Sequence, residues 1–505
     1  MSAPGKVYLV GAGPGDPGLL TLKGRDVLAR AQCVLYDNLA NPALLDYAPA
    51  SAERLYVGKK RAEHTLSQDE ICQLLVERGR AGLTVVRLKG GDPFIFGRGG
   101  EEAEALAQAG IPFEVVPGVT TPLGIAAYSG VPLTHREHTS IVTFVTGHNV
   151  EAIDWSKAGA ADTLVIFMGL TNAAGITQAI VAGGRSADTP AMAVRWSTYP
   201  KQKTVVGTLG DIAQKIEAAG LKPPVTIVAG EVVRLRDTLN WFEKLPLFGK
   251  RIVVTRAAGQ ARDLSEKLSA LGAEAIELPV ISLVPPEDLR PLDEAIARLE
   301  HFDWIVFTSV NGVRFFLDRL DSSPGDLRKL RGRLCAIGPA TRRALEDLHL
   351  KVDLVPEQYV AESVADAFAK LDLRGAKVLL PRAEAAREVL PEALRAMGAE
   401  VEVVSAYRNV IPPGAEAMVR EWFAPDKPKP DWVTFTSGST VGNFLALAGA
   451  DALSGVRCAS IGPVTTAALR AHGIDPAVEA AKYTIDGLVE ALCAIVLGNG
   501  RALGV

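Results

Sequence analysis

Cysteine is scarce: five thiols, at 33, 72, 335, 458 and 493, are spread over 505 residues with no C-x-x-C pair. That spacing supports neither a disulfide framework nor a zinc knuckle, so the thiols read as reduced core residues. An excess of positive charge is missing as well. Lys and Arg number 54 against 58 Asp and Glu, a net charge of −4, and the sequence pI is near 6.1. Nucleic-acid binding rests on a basic face that displaces counterions, so no nucleic-acid partner is expected. Nor does any stretch approach the ~18 consecutive apolar residues of a membrane span. The opening MSAPGKVYLVGAGPGDPG is broken by glycines within a few residues, unlike a secretory leader. These absences predict a cytoplasmic chain without a membrane partner.

What is present is the composition of an ordinary globular enzyme: 48% hydrophobic, 22% charged, with 48 Gly and 31 Pro along the whole length. Single cores stop growing near ~250–300 residues, so the chain must divide into two to four domains. With an acidic balance overall, an acidic ligand would have to be held locally. Lys59, Lys60 and Arg61, then Arg87 and Lys89, then His135 and Arg136 supply local positive charge. Each is equally well read as solvated surface.

Short runs rich in β-branched residues alternate with stretches of helical period, which predicts α/β architecture with largely parallel sheets. KVYLVGAG, QCVLYDN and TVVRLKGGD are the first three strand candidates. SQDEICQLLVERGRAG between them carries helical spacing and closes on glycine. In such sheets ligands bind beyond the carboxyl ends of the strands, so the loops there are where chemistry is expected. A change of lobe is placed near HREHTS, and the larger boundary falls after Pro246 and Gly249, where RIVVTRAAG restarts the pattern. The second half repeats itself: WIVFTSVNGVRFF is echoed by WVTFTSGSTVGNFL, and CAIGPATRRAL by CASIGPVTTAAL. Repeated units imply two similar lobes facing across a cleft.

Gly13, Gly15 and Gly18 satisfy G-x-G-x-x-G after a strand, with Asp37 at the end of the next one, as in a dinucleotide fold. Yet the loop reads GPGDPG: two prolines remove N–H donors and Asp16 adds a charge that repels a pyrophosphate. A cationic sulfonium cofactor has no phosphate to cradle and is compatible with such a loop. The dinucleotide reading stays open as the rival.

VGAGPGDPGLLTLKG, VLYDNL, YVGKK, VVRLKGGDPFIFGRGGEE, VPGVTTPLGIAAYSGVPLTHRE and FMGL follow one another as in the tetrapyrrole methylases. Residues 1 to about 245 resemble that family, and within it uroporphyrinogen-III C-methyltransferase. The resemblance implies two α/β lobes (about 1–135 and 136–245), S-adenosylmethionine between them and a homodimer; direct transfer of a sulfonium methyl requires no metal. It implies that Pro14, Gly90, Gly91, Asp92, Ile95, Thr120, Thr121 and Met168 line the cofactor pocket. Ser197 and Val225 follow less closely, standing where relatives often carry Ala or Gly, and Ala.

An electron-rich pyrrole carbon can take a sulfonium methyl directly, so the protein mainly aligns the two partners and removes a proton. Asp37 is the expected base, and Lys59, by resemblance, the proton donor or a carboxylate anchor. Without the resemblance these residues read as a loop carboxylate and a surface lysine. His135 and Arg136 are assigned to substrate carboxylates. His135 and His138 stand three apart, but the sequence offers no evident third metal ligand.

Residues 249–505 resemble uroporphyrinogen-III synthase through VVTR, FTSVNGV, AIGPAT, LLPRAEAAREVLPEALRAMGAEVEVVSAYR, FTSGSTVGNFL and IGPVTTAAL. This implies two lobes, about 249–285 with 409–505, and about 286–408. It also implies cofactor-free closure of hydroxymethylbilane with inversion of its last ring. Tyr407 is the expected acid for the departing hydroxyl, with Thr465 as second candidate. Ser309 is assigned to substrate carboxylates, whereas Ser437 and Thr341 read as carboxylate contacts or helix caps. A non-catalytic binding or regulatory module is the alternative for this half. Joined, the halves imply precorrin-2 as end product, the precursor of sirohaem and cobalamin, and no segment is expected to be left over to process it further.

Overall fold

A computed structural model describes residues 5–58, 66–357, 361–386, 388–424 and 427–498. It is α/β throughout and divides into two compact units, Met1–Arg251 with Leu268–Glu274, and Ile252–Lys267 with Ala275–Val505. Each unit carries two five-stranded sheets.

The first sheet comprises β1 (Val7–Gly11), β2 (Cys33–Tyr36), β3 (Glu53–Tyr56), β4 (Val85–Lys89) and β5 (Phe113–Val116), ordered β3-β2-β4-β1-β5 and parallel throughout. VYLVG is buried at every position, as a central parallel strand covered on both faces must be. The helix Gln68–Arg80, which leads into β4, starts on a capping box, Ser67 with Glu70, and packs Ile71 and Leu75 against the sheet. Because all five strands run the same way, the loops after Gly11, Tyr36, Lys89 and Val116 open on one edge. Pro14, Asp37, the Gly90–Ile95 run, Thr120 and Thr121 all lie in or directly after these loops.

The second sheet contains β6 (Val142–Thr146), β7 (Thr163–Phe167), β8 (Pro190–Arg195), β9 (Lys203–Thr208) and β10 (Val225–Ala229), ordered β6-β7-β10-β8-β9. Here the expectation of a largely parallel sheet fails. Only β6 and β7 pair in parallel; β7 with β10, β10 with β8, and β8 with β9 are antiparallel. Residues 196–202 between β8 and β9 are too few for a crossover, and a short connection forces a hairpin.

The second unit holds, but for the first residues of β11 and β12, the strands β11 (Arg251–Val254), β12 (Glu274–Glu277), β13 (Ser282–Val284), β14 (Trp304–Phe307), β15 (Arg333–Ala336), β16 (Lys377–Ala383), β17 (Glu400–Val410), β18 (Trp432–Phe435), β19 (Arg457–Ser460) and β20 (Val478–Glu479). They form the sheets β12-β11-β18-β19-β20 and β13-β17-β16-β14-β15. The internal repeat occupies matching places in the two. Trp304 and Trp432 open β14 and β18, each under an arginine from the neighbouring strand: Arg333 at 5.4 Å and Arg457 at 5.5 Å from the ring centre. Ser309 and Ser437 each cap the helix that follows.

Candidate active site

The loop edge of the first sheet is fixed by backbone lying on backbone. A Cβ on Gly118 would fall 2.4 Å from the Gly91 carbonyl oxygen, and one on Gly11 would fall 2.5 Å from Gly118 Cα. Gly13 and Gly91, both at positive φ, exchange two hydrogen bonds of 3.2 and 2.8 Å. Asp92 accepts from the backbone N–H of Phe94 (2.8 Å) and of Gly118 (3.0 Å), so its two carboxylate oxygens tie this loop to the one after β5. Thr120, at the head of the helix Thr121–Ser129, makes no side-chain bond to that helix.

The other lobe meets this edge through Trp196–Tyr199. Trp196 and Thr198 hold positive φ, and the Asp16 N–H donates to Thr198 Oγ1 at 2.8 Å. Pro14 lies against Gly124, where a Cβ would come within 2.5 Å of its ring and 3.0 Å of Thr198 Cγ2. Between Trp196 and Thr198, Ser197 is 5% exposed and its Oγ has no hydrogen-bond partner among the described residues. The structure thus gathers Pro14, Gly91, Thr121 and the Ser197 loop around one spot. Val225 pairs with Arg195 just below, but its side chain belongs to the core, which leaves only its backbone to a ligand.

A cleft of about 500 Å³ is lined by Phe94, Phe96, Arg98 and Glu101 on one lobe and by Thr146 and Met168 on the other. Phe96 meets Phe167 across it at 4.9 Å. Ile95 is exposed within the same loop, and Met168, at positive φ, is 52% exposed. Arg98 and Glu101, a bidentate pair at the start of the helix Gly99–Gln108, were not singled out in the sequence. Their position in the GRGGEE run of the cleft-facing loop was the available signal.

Asp37 stands at the end of β2 with both oxygens engaged: Oδ1 accepts from the Leu39 N–H (3.0 Å) and Oδ2 from Arg87 (2.9 Å). Its Leu39 turn presses on Gly90, where a Cβ would come within 2.6 Å of Leu39 Cβ. Arg87 also reaches Glu102 Oε1 at 3.2 Å, and Lys89 reaches the same oxygen at 2.8 Å. All three are buried, and burial pushes the Lys89 ammonium below its ordinary value. This corrects one expectation: Arg87 and Lys89 are internal pairs, not free charge for an acidic ligand. Lys59, Lys60 and Arg61 lie outside the described residues.

The GPGDPG loop does not lead into a helix N-terminus. A three-residue turn, Pro17–Leu19, follows it, and the helix Leu22–Leu28 begins later with Thr21 capping its own first turn. Asp16 is occupied by the Gly18 N–H (2.8 Å) and the Tyr128 hydroxyl (2.5 Å). Burial, and then Asp16, raise the Tyr128 phenol above its ordinary range. These features weigh against a pyrophosphate cradle.

His135 is half-buried and Arg136 exposed. The imidazoles of His135 and His138 stack at 4.7 Å, and the Glu137 carboxylate comes within 4.8 Å of their ligand atoms. A third residue of ligand type is therefore present where none was evident in the sequence. It was missed because it lies between the two histidines rather than at a separate motif.

In the second unit Tyr407, 7% exposed, stacks on Phe315 at 5.5 Å and meets Ser309 Oγ at 3.2 Å. Ser309 also accepts from the Gly312 N–H at 2.9 Å, capping the helix Val310–Asp321. Thr465 and Thr341 are buried in the first turns of other helices, and no contact joins either to Tyr407 among the described residues.

Residues 6–213 match the family model of Tetrapyrrole (Corrin/Porphyrin) Methylases, and residues 262–490 match that of Uroporphyrinogen-III synthase HemD. A methylase half followed by a synthase half is the class these matches define. The chain is 36% identical over 501 residues to the porphyrin biosynthesis protein HemD of Ruminiclostridium josui, covering 98% of this chain and 99% of that protein. It is 40% identical over 348 residues to the uroporphyrinogen-III C-methyltransferase of Bacillus subtilis, covering 68% of this chain and 71% of that one. The uroporphyrin-III C-methyltransferase of Thermus thermophilus complexed with S-adenyl homocysteine shares 43% identity at a TM-score of 0.41, covering 46% of this chain and 100% of that chain. The chain belongs to the family of porphyrin biosynthesis proteins that join a tetrapyrrole methylase to a uroporphyrinogen-III synthase.

Proposed function

We propose that the chain closes hydroxymethylbilane to uroporphyrinogen III, inverting its last ring, and methylates the product twice to precorrin-2 in the sirohaem and cobalamin branch. The observation that carries this is the likeness, over 98% of the chain, to one porphyrin biosynthesis protein, with a methylase match preceding a synthase match. The working unit is a homodimer through the methylase half, in the cytoplasm. Its functional domains are residues 1–245 and 249–505.

S-adenosylmethionine, when bound, supplies a methyl group on a sulfonium that a carbon nucleophile can take. Pro14, Gly90, Gly91, Asp92, Ile95, Thr120, Thr121, Met168, Ser197 and the Val225 backbone would hold it. Two features favour the fit: the buried Ser197 hydroxyl has no partner among the described residues, and the Thr120 hydroxyl is not spent on capping its helix. Asp37, fixed by Arg87, accepts the proton that the macrocycle loses. Lys59 supplies a proton or anchors a carboxylate, and His135 and Arg136 take further substrate carboxylates. No metal enters either reaction.

Ser197→Ala tests the fit. A net hydrogen bond is worth about 0.5–1.5 kcal/mol, so cofactor affinity should fall about two- to thirteenfold by calorimetry. The free protein should melt no lower, because the hydroxyl lost has no partner in it. Unchanged affinity would remove Ser197 from the pocket.

In the synthase half Tyr407 donates a proton to the departing hydroxyl, with Ser309 orienting the phenol and Thr465 contributing to substrate binding. Tyr407→Phe keeps the stacking on Phe315 and removes only the hydroxyl, so ring closure should slow at least about tenfold while methylation stays unchanged. Full closing activity in that variant ends the assignment. For the whole reading, the purified chain is incubated anaerobically with hydroxymethylbilane, with and without S-adenosylmethionine. Uroporphyrinogen III without the cofactor, and a product two methyl groups heavier with it, are expected. Methylation of supplied uroporphyrinogen III alone would make the second half a binding or regulatory module.

A further inference from the structure

We infer that Arg256 anchors a carboxylate arm of the linear tetrapyrrole at the seam between the two lobes of the synthase half, a role that rests on the synthase reading above.

Arg256 follows β11 and precedes the helix Ala258–Ala270. Four arginines of the second unit are not exposed among the described residues, and three of them face a carboxylate. Arg319 is paired with Asp293, Arg382 with Glu388 and Arg408 with Glu287. Arg256 has no carboxylate within ion-pair distance among the described residues. Its hydrogen-bond partner is the Gln260 amide oxygen, at 3.4 Å. Burial pulls the guanidinium below its ordinary value, and Asp263 opposes that shift only from beyond ion-pair distance. A guanidinium stays charged in proteins and presents a planar fork of donors that matches a carboxylate. Holding it half-buried without an anion is unfavourable unless a ligand supplies one.

Its place gives the ligand. Gln260 donates to Asn311 at 2.7 Å, and Asn311 lies in the first turn of the helix Val310–Asp321 on the second lobe. The same turn is capped by Ser309, which meets the Tyr407 hydroxyl. The unpaired charge therefore stands where a hydrogen bond joins the lobes, close along the chain of contacts to the proposed acid. A flexible polypyrrole with carboxylate arms must be folded at this point before its ends can join. An arm fixed on Arg256 restricts that folding.

The test uses the full chain. Arg256→Gln keeps a polar side chain and removes the charge; Arg256→Lys keeps the charge and loses the fork. With hydroxymethylbilane, Arg256→Gln should raise KM about tenfold, about 1.4 kcal/mol, with kcat within about twofold, the pattern of lost uniform binding. Arg256→Lys should recover part of the loss. Added salt should raise KM more for the wild type than for Arg256→Gln. Methylation of supplied uroporphyrinogen III and the melting temperature serve as controls for folding. If Arg256→Gln melts early, the intermediate KM of Arg256→Lys carries the same test. An unchanged KM in a folded variant, or a fall in kcat alone, overturns the inference. Absence of hydroxymethylbilane turnover by the wild type overturns the synthase reading first, and the role of Arg256 with it.

Discussion

Asp37→Ala is expected to lower methyl transfer to uroporphyrinogen III about 10²- to 10⁴-fold, the usual contribution of a positioned base, while cofactor affinity stays nearly unchanged. The geometry separates these two effects. Asp37 is held from behind by Arg87 and by its own Leu39 turn, whereas the groups gathered around Pro14, Gly91, Thr121 and Ser197 come from other loops. Methyl transfer is followed by mass under anaerobic conditions and cofactor binding by calorimetry. Loss of binding together with activity would make Asp37 a ligand of the cofactor ribose and revive the dinucleotide reading. Asp37→Asn separates charge from shape: it preserves the turn and should be nearly as inactive as the alanine variant.

The second large effect concerns stability. Glu102 is fully buried, and its Oε1 receives Arg87, Lys89 and the Gln68 amide while Oε2 has no partner among the described residues. Glu102→Ala leaves two buried cations facing each other without their shared anion. Removing one member of a buried charge cluster typically costs about 3–5 kcal/mol, so unfolding of the first unit in denaturant should shift by that amount. Because Arg87 also fixes Asp37, methyl transfer should fall in the variant even where it remains folded. Glu104→Ala, on the exposed face of the same helix, is the control and should stay within about 0.5 kcal/mol. A Glu102→Ala shift no larger than that of the control would mean that water or repacking replaces the carboxylate readily.

Much of the framework was legible because it obeys simple periodicities. The fully buried runs VYLVG and VVRLK read as strands, and the alternation of elements announced α/β layers. The strand Glu53–Tyr56 was not read: it lies at the sheet edge with its first two residues exposed, so it lacks the apolar signal. Lys203–Thr208, likewise an edge strand, went unread, and with it the hairpin that makes the second sheet antiparallel. For the site, motif order pointed to the loops that carry Pro14, Asp37, Gly91 and Thr121, because each follows a strand. The charges were harder. Arg87 and Lys89 look like ligand-binding groups until Glu102, on a helix 15 and 13 positions away, is seen to occupy them. Likewise, nothing in VVTR says that Arg256 is half-buried without a carboxylate partner among the described residues; that emerges only when the carboxylates are placed.

The contact of Gly11, Gly91 and Gly118, backbone against backbone, bears on how such a protein can diversify. Neither Gly11 nor Gly118 can accept even a methyl group without parting the loops, and Gly91 is held at a positive φ that side chains strain to adopt, so in a random library these positions should be nearly empty of survivors. A few residues away Phe94, Ile95 and Phe96 are exposed, and Phe96 rests on another side chain, Phe167, instead of on backbone. The frame is closed to drift while its crest is open. Inherited variation in which macrocycle is accepted, and laboratory evolution toward new acceptors, should therefore accumulate on that crest.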